Sequence, residues 1–314
     1  MGTVAVFGLG SMGSGIATSL RKADHSVYGL DVVPASVEKF TAGGGLTGQP
    51  ADIASELDAA IVVVLNASQT ESVLFGDPGT RVSKSGVGKS GGNNNSGIVE
   101  SMRHGSVVVS CATVAPQFAK EMSKRCAKLG IQYLDAPISG GSLKAAKGQL
   151  SVMASGTDDA FTAARPFLEA IAEKVFELGN EAGAGSAMKA VNQLLAGVHI
   201  ATMAEALTFG MTQGVQPAKF VEVISQCAGT SWMLENRAPH IVEGNYQPHS
   251  AVDIWLKDLG IVLDIAKDAK FSAPVTAAAL QQFVAASGQG LGHEDDAAVA
   301  KVYAGNAGIT LPGR

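Results

Sequence analysis

The feature that most limits how this chain can fold is a glycine-rich turn near its N-terminus. Thr3 to Phe7 is a short β-branched run, followed at once by GLGSMG and by an apolar helical segment that ends near Leu20. In such a turn the first glycine permits the bend, the second lets the backbone approach a pyrophosphate, and the third lets helix and strand pack closely. The pattern therefore predicts a dinucleotide-binding βαβ unit. Its candidate cofactor contacts are Gly8, Leu9, Gly10, Ser11, Met12 and Gly13.

The second predicted strand, Ser26 to Leu30, ends on an acidic residue, Asp31. A carboxylate here can accept hydrogen bonds from both hydroxyls of the adenosine ribose, and it would repel a 2′-phosphate. The next residues, Val32, Val33 and Pro34, offer no arginine to hold such a phosphate. We therefore expect NAD rather than NADP. The alternative, a structural glycine turn with a solvated Asp31, is disfavoured by the complete strand–turn–helix–strand context.

Further apolar, β-branched runs indicate more strands, with helical patterns between several of them. They lie at 60–65, 106–111, 132–136, 150–154 and 174–178. This alternation predicts an α/β fold with a doubly wound, mostly parallel sheet. Ligands of such sheets bind beyond the carboxyl ends of the strands. The candidate contacts there are Leu65, Asn66, Thr113 and the segment from Asp135 onward.

A long apolar segment from Gly183 to Gly214 predicts one helix of roughly 28 residues, about 40 Å long, that can join two domains. From Ser186 to Ala204 the only formal charge is Lys189, so we expect most of this helix to be buried and the lysine to be functional. Asn192 and Gln193 follow at i+3 and i+4, which places an ammonium and two amides on one face. An ordinary solvated lysine is the alternative.

Strand patterns stop after residue 179, and all later segments have helical spacing. We expect two domains in this chain of 314 residues: a Rossmann NAD-binding domain over 1–180 and an all-helical substrate and dimerisation domain over 181–314. The long interdomain helix would join them.

Charge and cysteine content limit the class of partner. The net charge is −5 and no dense Lys/Arg run occurs, which favours a small molecule over nucleic acid or an anionic membrane. Cys111, Cys126 and Cys227 lack metal-ligand spacing and are expected to be free thiols in a reducing compartment.

The long helix carries Lys189 and small polar residues, so we expect no membrane span. A strand at the very start leaves no room for a signal peptide, which predicts a cytoplasmic protein.

Residues 80–97 are rich in Gly, Ser and Asn and predict a flexible insertion. The GVGKS within it resembles part of a phosphate-binding loop, but the required first glycine and a preceding strand are missing.

Three smaller features are candidate substrate or cofactor contacts. Ser139, Gly140 and Gly141 can present a hydroxyl and two unobstructed backbone N–H groups to a carboxylate, or can form a plain turn. Trp232 follows a capping turn and is either core or a substrate wall. Lys257 stands with Asp258 among apolar residues and is either functional or a surface residue.

Four motifs, GLGSMGSG, DAPISGG, GAGSAMKAVNQ and WLKDLGI, occur in the order and approximate spacing of the β-hydroxyacid dehydrogenase family, the relatives of 3-hydroxyisobutyrate dehydrogenase. The chain resembles that family over essentially its whole length. The resemblance implies that Lys189 is the catalytic lysine and that Ser139, Gly140 and Gly141 form a cradle for the substrate carboxylate. It also implies that the amides of Asn192 and Gln193 contact the substrate. Thr113, after the fourth strand, would contact the cofactor, and Lys257 would lie near the nicotinamide.

The sequence departs from the usual family pattern at one position, and three of its segments indicate a particular branch of the family. Gln193 stands where many members have a second asparagine, so the amide is one methylene longer. The segments KAVNQLLAGVHIA, GTSWMLENR and AVDIWLKDLGIV are most similar to the branch that oxidises four-carbon sugar acids such as L-threonate. We expect NAD-dependent oxidation to a 2-oxo acid with Lys189 as general base, its pKa lowered by burial and by nearby positive charge.

Other functions remain open from the sequence. They are another activity of the family, on 3-hydroxyisobutyrate or tartronate semialdehyde, an imine-reducing relative, and a non-catalytic NAD-binding module. Retention of Lys189 argues against the last two. A homodimer or homotetramer is expected.

Overall fold

A parallel sheet organises the N-terminal part of the chain in a computed structural model, which describes residues 1–76 and 97–313. Its strands lie in the spatial order β2-β1-β3-β4-β5. They are β1 (Thr3–Phe7), β2 (Ser26–Leu30), β3 (Ala59–Val62), β4 (Val107–Ser110) and β5 (Gln132–Asp135). All side chains of β3 and β4 are buried, as is typical of a parallel sheet covered on both faces. The doubly wound prediction is confirmed, although β3 and β4 are shorter than their sequence patterns.

Helices cover both faces of this sheet. Val4 and Val6 lie in one core with Ile16 and Phe167, while Ala5 and Phe7 lie in the opposite core with Leu74 and Met122. The helices of this part are α1 (Gly13–Lys22), α2 (Pro34–Ala42), α3 (Pro50–Ile53), α4 (Ala67–Phe75), α5 (Pro116–Ala127), α6 (Gly141–Ala146) and α7 (Asp158–Ile171). Of the insertion predicted at 80–97, residues 80–96 lie outside the described residues.

The last two predicted strands form a separate small sheet instead of extending the first. It consists of β6 (Ile138–Ser139), β7 (Leu150–Ala154) and β8 (Ala172–Glu177) in that order. The strand β6 is antiparallel to β7, and its two-residue length gives almost no sequence signal. An antiparallel bridge between Asp135 and Ser155 connects the end of β5 with the segment after β7.

The strand register brings four carboxyl ends to one edge of the parallel sheet. Phe7 is opposite Val62, Val62 is opposite Ser110, and Ser110 is opposite Asp135. The loops that leave these strands therefore begin side by side, as the sequence-based location of the ligand requires.

The longest helix, α8 (Ala184–Thr212), has 29 residues, as the sequence predicted. Residue contacts divide the chain inside α8 into a unit of residues 1–189 and a unit of residues 190–314. The domain boundary at 180/181 stays a prediction. By length and composition α8 is also the one helix among the described residues that could cross a membrane, with 44% of its most apolar window buried.

The expectation that α8 is buried on nearly all sides is wrong. Val191, Leu195 and Phe209 are 54%, 49% and 65% exposed. They recur at helical spacing along one face, so a stripe of the helix exposes apolar residues, with the polar Thr202 and Glu205 between Leu195 and Phe209. Composition alone does not show whether an apolar residue is covered by its own chain.

The remaining helices form the second unit. Ile200, Met203 and Leu207 of α8 pack with Trp255 and Phe283 in its core. These helices are α9 (Pro217–Ile224), α10 (Trp232–Glu243), α11 (Val252–Asp268), α12 (Pro274–Ala286) and α13 (Ala300–Ala307). The all-helical prediction for this part of the chain is confirmed.

A distant carboxylate holds the first turn of α8. Gly183 precedes the helix and has no side chain with which to cap it. Asp135 Oδ2 accepts hydrogen bonds from the backbone N–H groups of Gly183 (2.9 Å) and Ser186 (2.8 Å), and Oδ1 accepts one from the Ser186 hydroxyl (2.7 Å). The Gly185 N–H donates to Ser155 Oγ at 2.9 Å. These bonds satisfy donors that a helix N-terminus leaves unpaired.

Asp135 is fully buried, and burial raises the pKa of its carboxyl above the usual value. The hydrogen bonds from Ser186, Gly183 and Ser155 act in the opposite direction and favour the carboxylate.

We predict that Asp135→Ala lowers the free energy of unfolding by about 3 kcal/mol or more, because each buried N–H group left without a partner costs about 1–3 kcal/mol. Asp135→Asn is the matched control. It keeps one oxygen for the two N–H groups and should lose about 1 kcal/mol. Urea denaturation measures both values. Equal losses for the two variants would contradict the assignment of Asp135 as the cap.

Candidate active site

The glycine turn has the geometry that its sequence predicted. Gly8 has a φ of +96°, and a Cβ there would lie 2.4 Å from the carbonyl oxygen of Val63. A Cβ on Gly13 would lie 1.8 Å from the carbonyl oxygen of Gly8, which explains how closely α1 packs on the turn. A Cβ on Gly10 would meet no atom within 4 Å. The turn is thus closed at its two ends and open at Gly10, where a pyrophosphate could approach the backbone.

The Asp31 carboxylate is fixed to this turn. Its Oδ2 accepts a hydrogen bond from the Leu9 N–H at 2.6 Å, and its Oδ1 accepts one from the Val33 N–H at 2.8 Å. Each oxygen keeps a second acceptor site, so the carboxylate can still receive two ribose hydroxyls. The neighbouring Val32 is 96% exposed and contributes no charge.

Leu65, Asn66 and Thr113 follow strands at the same edge of the parallel sheet. Leu65 is 56% exposed and Thr113 is half-buried. Asn66 Oδ1 accepts a hydrogen bond from the Gln69 N–H at 2.9 Å and caps α4, while Gln69 Oε1 accepts one from the Leu65 N–H. This structural role was not predicted, although the spacing N-x-x-Q is that of a helix N-terminus.

Lys189 lies next to the predicted carboxylate cradle. The lysine is 8% exposed, and its Nζ donates a hydrogen bond to the carbonyl oxygen of Ile138 at 2.8 Å. Ile138 directly precedes Ser139, which is followed by Gly140 and Gly141 with φ values of +134° and +76°. Positive φ values favour glycine and turn the backbone sharply after β6. The N-terminal unit therefore brings together the predicted catalytic lysine and the three predicted cradle residues.

Polar side chains of the second unit form a connected series. Asn192 Nδ2 donates a hydrogen bond to Gln193 Oε1 at 2.9 Å, and Gln193 Nε2 donates one to Asp258 Oδ2 at 2.5 Å. Lys257 Nζ lies 2.6 Å from Asp258 Oδ1. Gln193 and Asp258 are 8% and 3% exposed. Gln193 and Lys257 were predicted site residues, but the hydrogen bond from the Gln193 amide to Asp258 was not predicted.

Trp232 is not a core residue. Its side chain is 58% exposed at the first position of α10, next to Ser231, whose Oγ accepts a hydrogen bond from the Leu234 N–H at 3.0 Å. The predicted capping turn is therefore present, and the indole is accessible to a ligand.

The two buried thiols, Cys111 and Cys126, do not contribute nucleophiles to this site. All three cysteines are free, and Cys111 and Cys126 are buried. Burial raises the pKa of each of these two thiols to about 12, so both stay protonated at neutral pH. Among the described residues, no group of three His, Cys, Asp or Glu side chains could hold a metal ion.

Two protein-family models match consecutive parts of this chain. The NAD binding domain of 6-phosphogluconate dehydrogenase matches residues 3–179. The model described as NAD-binding of NADP-dependent 3-hydroxyisobutyrate dehydrogenase matches residues 183–303.

Full-length relatives are also similar. L-threonate dehydrogenase of Cupriavidus necator is 45% identical, with 99% of this chain and 98% of that protein covered. L-threonate dehydrogenase of Escherichia coli K12 is 42% identical, with 99% and 96% covered. A crystal structure described as 3-hydroxyisobutyrate dehydrogenase from Salmonella typhimurium is 40% identical with a TM-score of 0.85, covering 96% of this chain and 100% of that chain.

The first prediction from this site concerns the cofactor. Asp31→Ser with Val32→Arg should raise the ratio of kcat/KM with NADP to that with NAD by about tenfold or more, because a repulsive carboxylate is replaced by a cation that can pair with the 2′-phosphate. Val32→Arg alone is the control and should gain less, since the carboxylate remains. An unchanged ratio in the double variant would show that the adenosine ribose lies elsewhere.

Proposed function

This chain belongs to the β-hydroxyacid dehydrogenase family, and we propose that it oxidises L-threonate at C2 with NAD, giving a 2-oxo acid. The observation that carries the proposal is the buried Lys189 amino group, held 2.8 Å from the Ile138 carbonyl beside Ser139, Gly140 and Gly141. The names of the relatives at 42–45% identity support the choice of substrate.

In this proposal, the substrate carboxylate binds the backbone N–H groups around Ser139 to Gly141. A Cβ on Gly141 would meet no atom within 4 Å, so the second glycine leaves space for an anion. The carbon next to the carboxylate would then lie close to Lys189, whose Nζ is bound to the residue just before the cradle. Binding the acid end thus places the C2 hydroxyl near the lysine, which reduces the entropy cost of the reaction.

Lys189 acts as the general base in the oxidation. A neutral amine that donates one N–H to Ile138 keeps a lone pair for the hydroxyl proton of the substrate. As the proton moves to Nζ, the C2–H electron pair leaves as hydride and C2 becomes a carbonyl. Bound NAD+ supplies the hydride acceptor. In the reverse direction, the Lys189 ammonium returns the proton to the oxygen.

The open glycine turn and the anchored Asp31 fit a dinucleotide. Gly8 to Gly13 would hold the pyrophosphate and Asp31 the adenosine ribose, with Leu65, Asn66 and Thr113 as further contacts. The proposal also assigns residues 1–180 to the NAD-binding domain, 181–314 to the substrate and dimerisation domain, and Lys257 to the nicotinamide end of the site.

The amides of Asn192 and Gln193 favour a polar substrate, and Trp232 is proposed as a further substrate contact. On α8 these amides follow Lys189 by three and four residues, so they share its face of the helix. A branched apolar acid would leave the Asn192 carbonyl oxygen without a donor, and sites built to bind hydroxyls strongly reject analogues that lack them. The alternative substrate, 3-hydroxyisobutyrate, is favoured by the description of the similar Salmonella structure.

A homodimer or homotetramer is part of the proposal. The exposed stripe of Val191, Leu195 and Phe209 supports a second copy as the partner, since uncovered apolar faces of this kind mark protein interfaces. A solution mass of a single 31.9 kDa chain by light scattering would contradict it.

We place the protein in the cytoplasm, where NAD and sugar acids are available.

The substrate is tested by reduced-cofactor absorbance with C3 to C5 hydroxy acids. We expect kcat/KM for L-threonate to exceed that for 3-hydroxyisobutyrate by about a hundredfold or more, because only the sugar acid has further hydroxyls, besides the one oxidised, that can donate to the Asn192 carbonyl oxygen. D-threonate is the stereochemical control. A preference for 3-hydroxyisobutyrate would overturn the substrate while leaving hydride transfer and Lys189 in place.

The base is tested by two variants. Lys189→Ala should lower kcat by roughly three orders of magnitude while NAD still binds, because general-base catalysis contributes about 10²–10⁴ in rate. Lys189→Arg keeps a cation that can donate to Ile138 but does not release a proton at neutral pH. It should also be inactive. Calorimetric NAD titration gives the binding control. A loss below about tenfold for Lys189→Ala, or an active Lys189→Arg, would exclude the role.

A further inference from the structure

We infer that Asp258 is a positioning residue that acts through Gln193 to fix which end of the Asn192 amide faces the substrate. The assignment rests on the proposed function, because it concerns how the same site selects a hydroxylated acid. All three residues belong to the second unit and are joined by hydrogen bonds of 2.9 Å and 2.5 Å.

The Asp258 carboxylate determines the direction of the hydrogen bonds that run from Asn192 through Gln193. Ionised Asp258 can only accept hydrogen bonds, so it requires the NH2 end of the Gln193 amide. The carbonyl end of Gln193 then points to Asn192, which must present its own NH2 group. Asn192 Oδ1 is left as an acceptor, and among the described residues it has no hydrogen-bond donor. A substrate hydroxyl could donate to this oxygen.

The length of Gln193 is what makes the contact with Asp258. An asparagine at this position would end roughly 1.5 Å short of the carboxylate, one C–C bond less. Its amide would then be free to adopt either orientation. The extra methylene of Gln193 thus lets its amide reach a buried acid in this chain.

Asp258 has few ways to stabilise its charge other than through this series. At 3% exposure, the carboxylate has lost most of its contact with water, which is costly without partners. Lys257 lies 2.6 Å from Oδ1, but the contact is an ion pair without the alignment of a hydrogen bond. Gln193 therefore supplies an aligned donor to a buried charge, which strengthens its fixed orientation.

The direct test is Asp258→Asn. The variant keeps the shape of the side chain but can donate or accept, so both orientations of Gln193 and Asn192 become possible. The ratio of kcat/KM for L-threonate to that for 3-hydroxyisobutyrate should fall about tenfold, mainly through KM for L-threonate, because one oriented hydrogen bond is lost. An unchanged substrate ratio would overturn the inference.

Asp296→Asn is the matched control. Asp296 is also fully buried in the second unit, but it pairs with Arg237 and Trp255 and not with Gln193. The control should lower Tm without changing the substrate ratio. A purely structural role of Asp258 would give the same pattern for both variants.

A double-variant cycle isolates the action through Gln193. Gln193→Met keeps the chain length and removes the amide, so Asp258→Asn should add no further loss of discrimination in its presence. Additive losses would show that Asp258 acts by another route and would overturn the inference.

A readout without turnover separates this inference from the proposed substrate. In side-chain amide NMR spectra, Gln193→Met and Asn192→Ala identify the two pairs of NH2 signals. Asp258→Asn should shift both pairs, whereas Asp296→Asn should shift neither. If the wild-type protein oxidised no sugar acid, the proposed function would fail while these shifts still decided the orientation. If the Asn192 NH2 signals do not shift in the Asp258→Asn variant, the inference is overturned.

Discussion

The candidate site depends on how a short stretch of chain that begins at the end of β5 holds the start of α8. Asp135 binds the N–H groups at the helix N-terminus, and the carbonyl of Ile138, three residues later, binds the ammonium of Lys189. The two contacts lie about one turn apart on the helix. The same stretch continues into Ser139, Gly140 and Gly141. The proposed base and carboxylate cradle are thus fixed to one rigid support, as a reaction geometry requires.

Carboxylates that accept hydrogen bonds from defined donors recur in this chain. Asp31 accepts from the glycine turn, Asp135 from the first turn of α8, and Asp258 from Gln193. Each is an acceptor only, so each imposes a direction on its donors. A buried or half-buried carboxylate needs such donors to offset its lost hydration. Polar groups at the candidate site are therefore oriented before any ligand binds, which reduces the reorganisation needed during a reaction.

Local patterns made much of this structure predictable. The turn at Gly8 to Gly13 was predictable because its steric requirements lie within six consecutive residues. The helix α8 was predictable because its apolar run is far longer than a strand, and Asp31 because it ends a strand at a recognisable distance from the turn. The lone charge on α8 singled out Lys189, and the family motifs then assigned roles to it and to Ser139, Gly140 and Gly141.

Pairings between distant residues were not predictable. Asp135 meets Ser186 across 51 positions and Gln193 meets Asp258 across 65, and neither residue type specifies its partner. The absence of a local cap at Gly183 was the available signal for the first pairing. The small sheet of β6, β7 and β8 was missed because β6 has two residues. Exposure of Val191 and Phe209 was missed because an apolar residue does not reveal which chain covers it.

Hydride transfer from C2 beside Lys189 is tested most directly by following deuterium from L-threonate labelled at C2. The mechanism predicts that the reduced cofactor gains the deuterium and one mass unit, with a 2-oxo acid as product and no label left at C2. Transfer of unlabelled hydride with deuterium retained in the product would place oxidation at another carbon. That result would contradict the placement of the carboxylate at Ser139 to Gly141 and of C2 at Lys189.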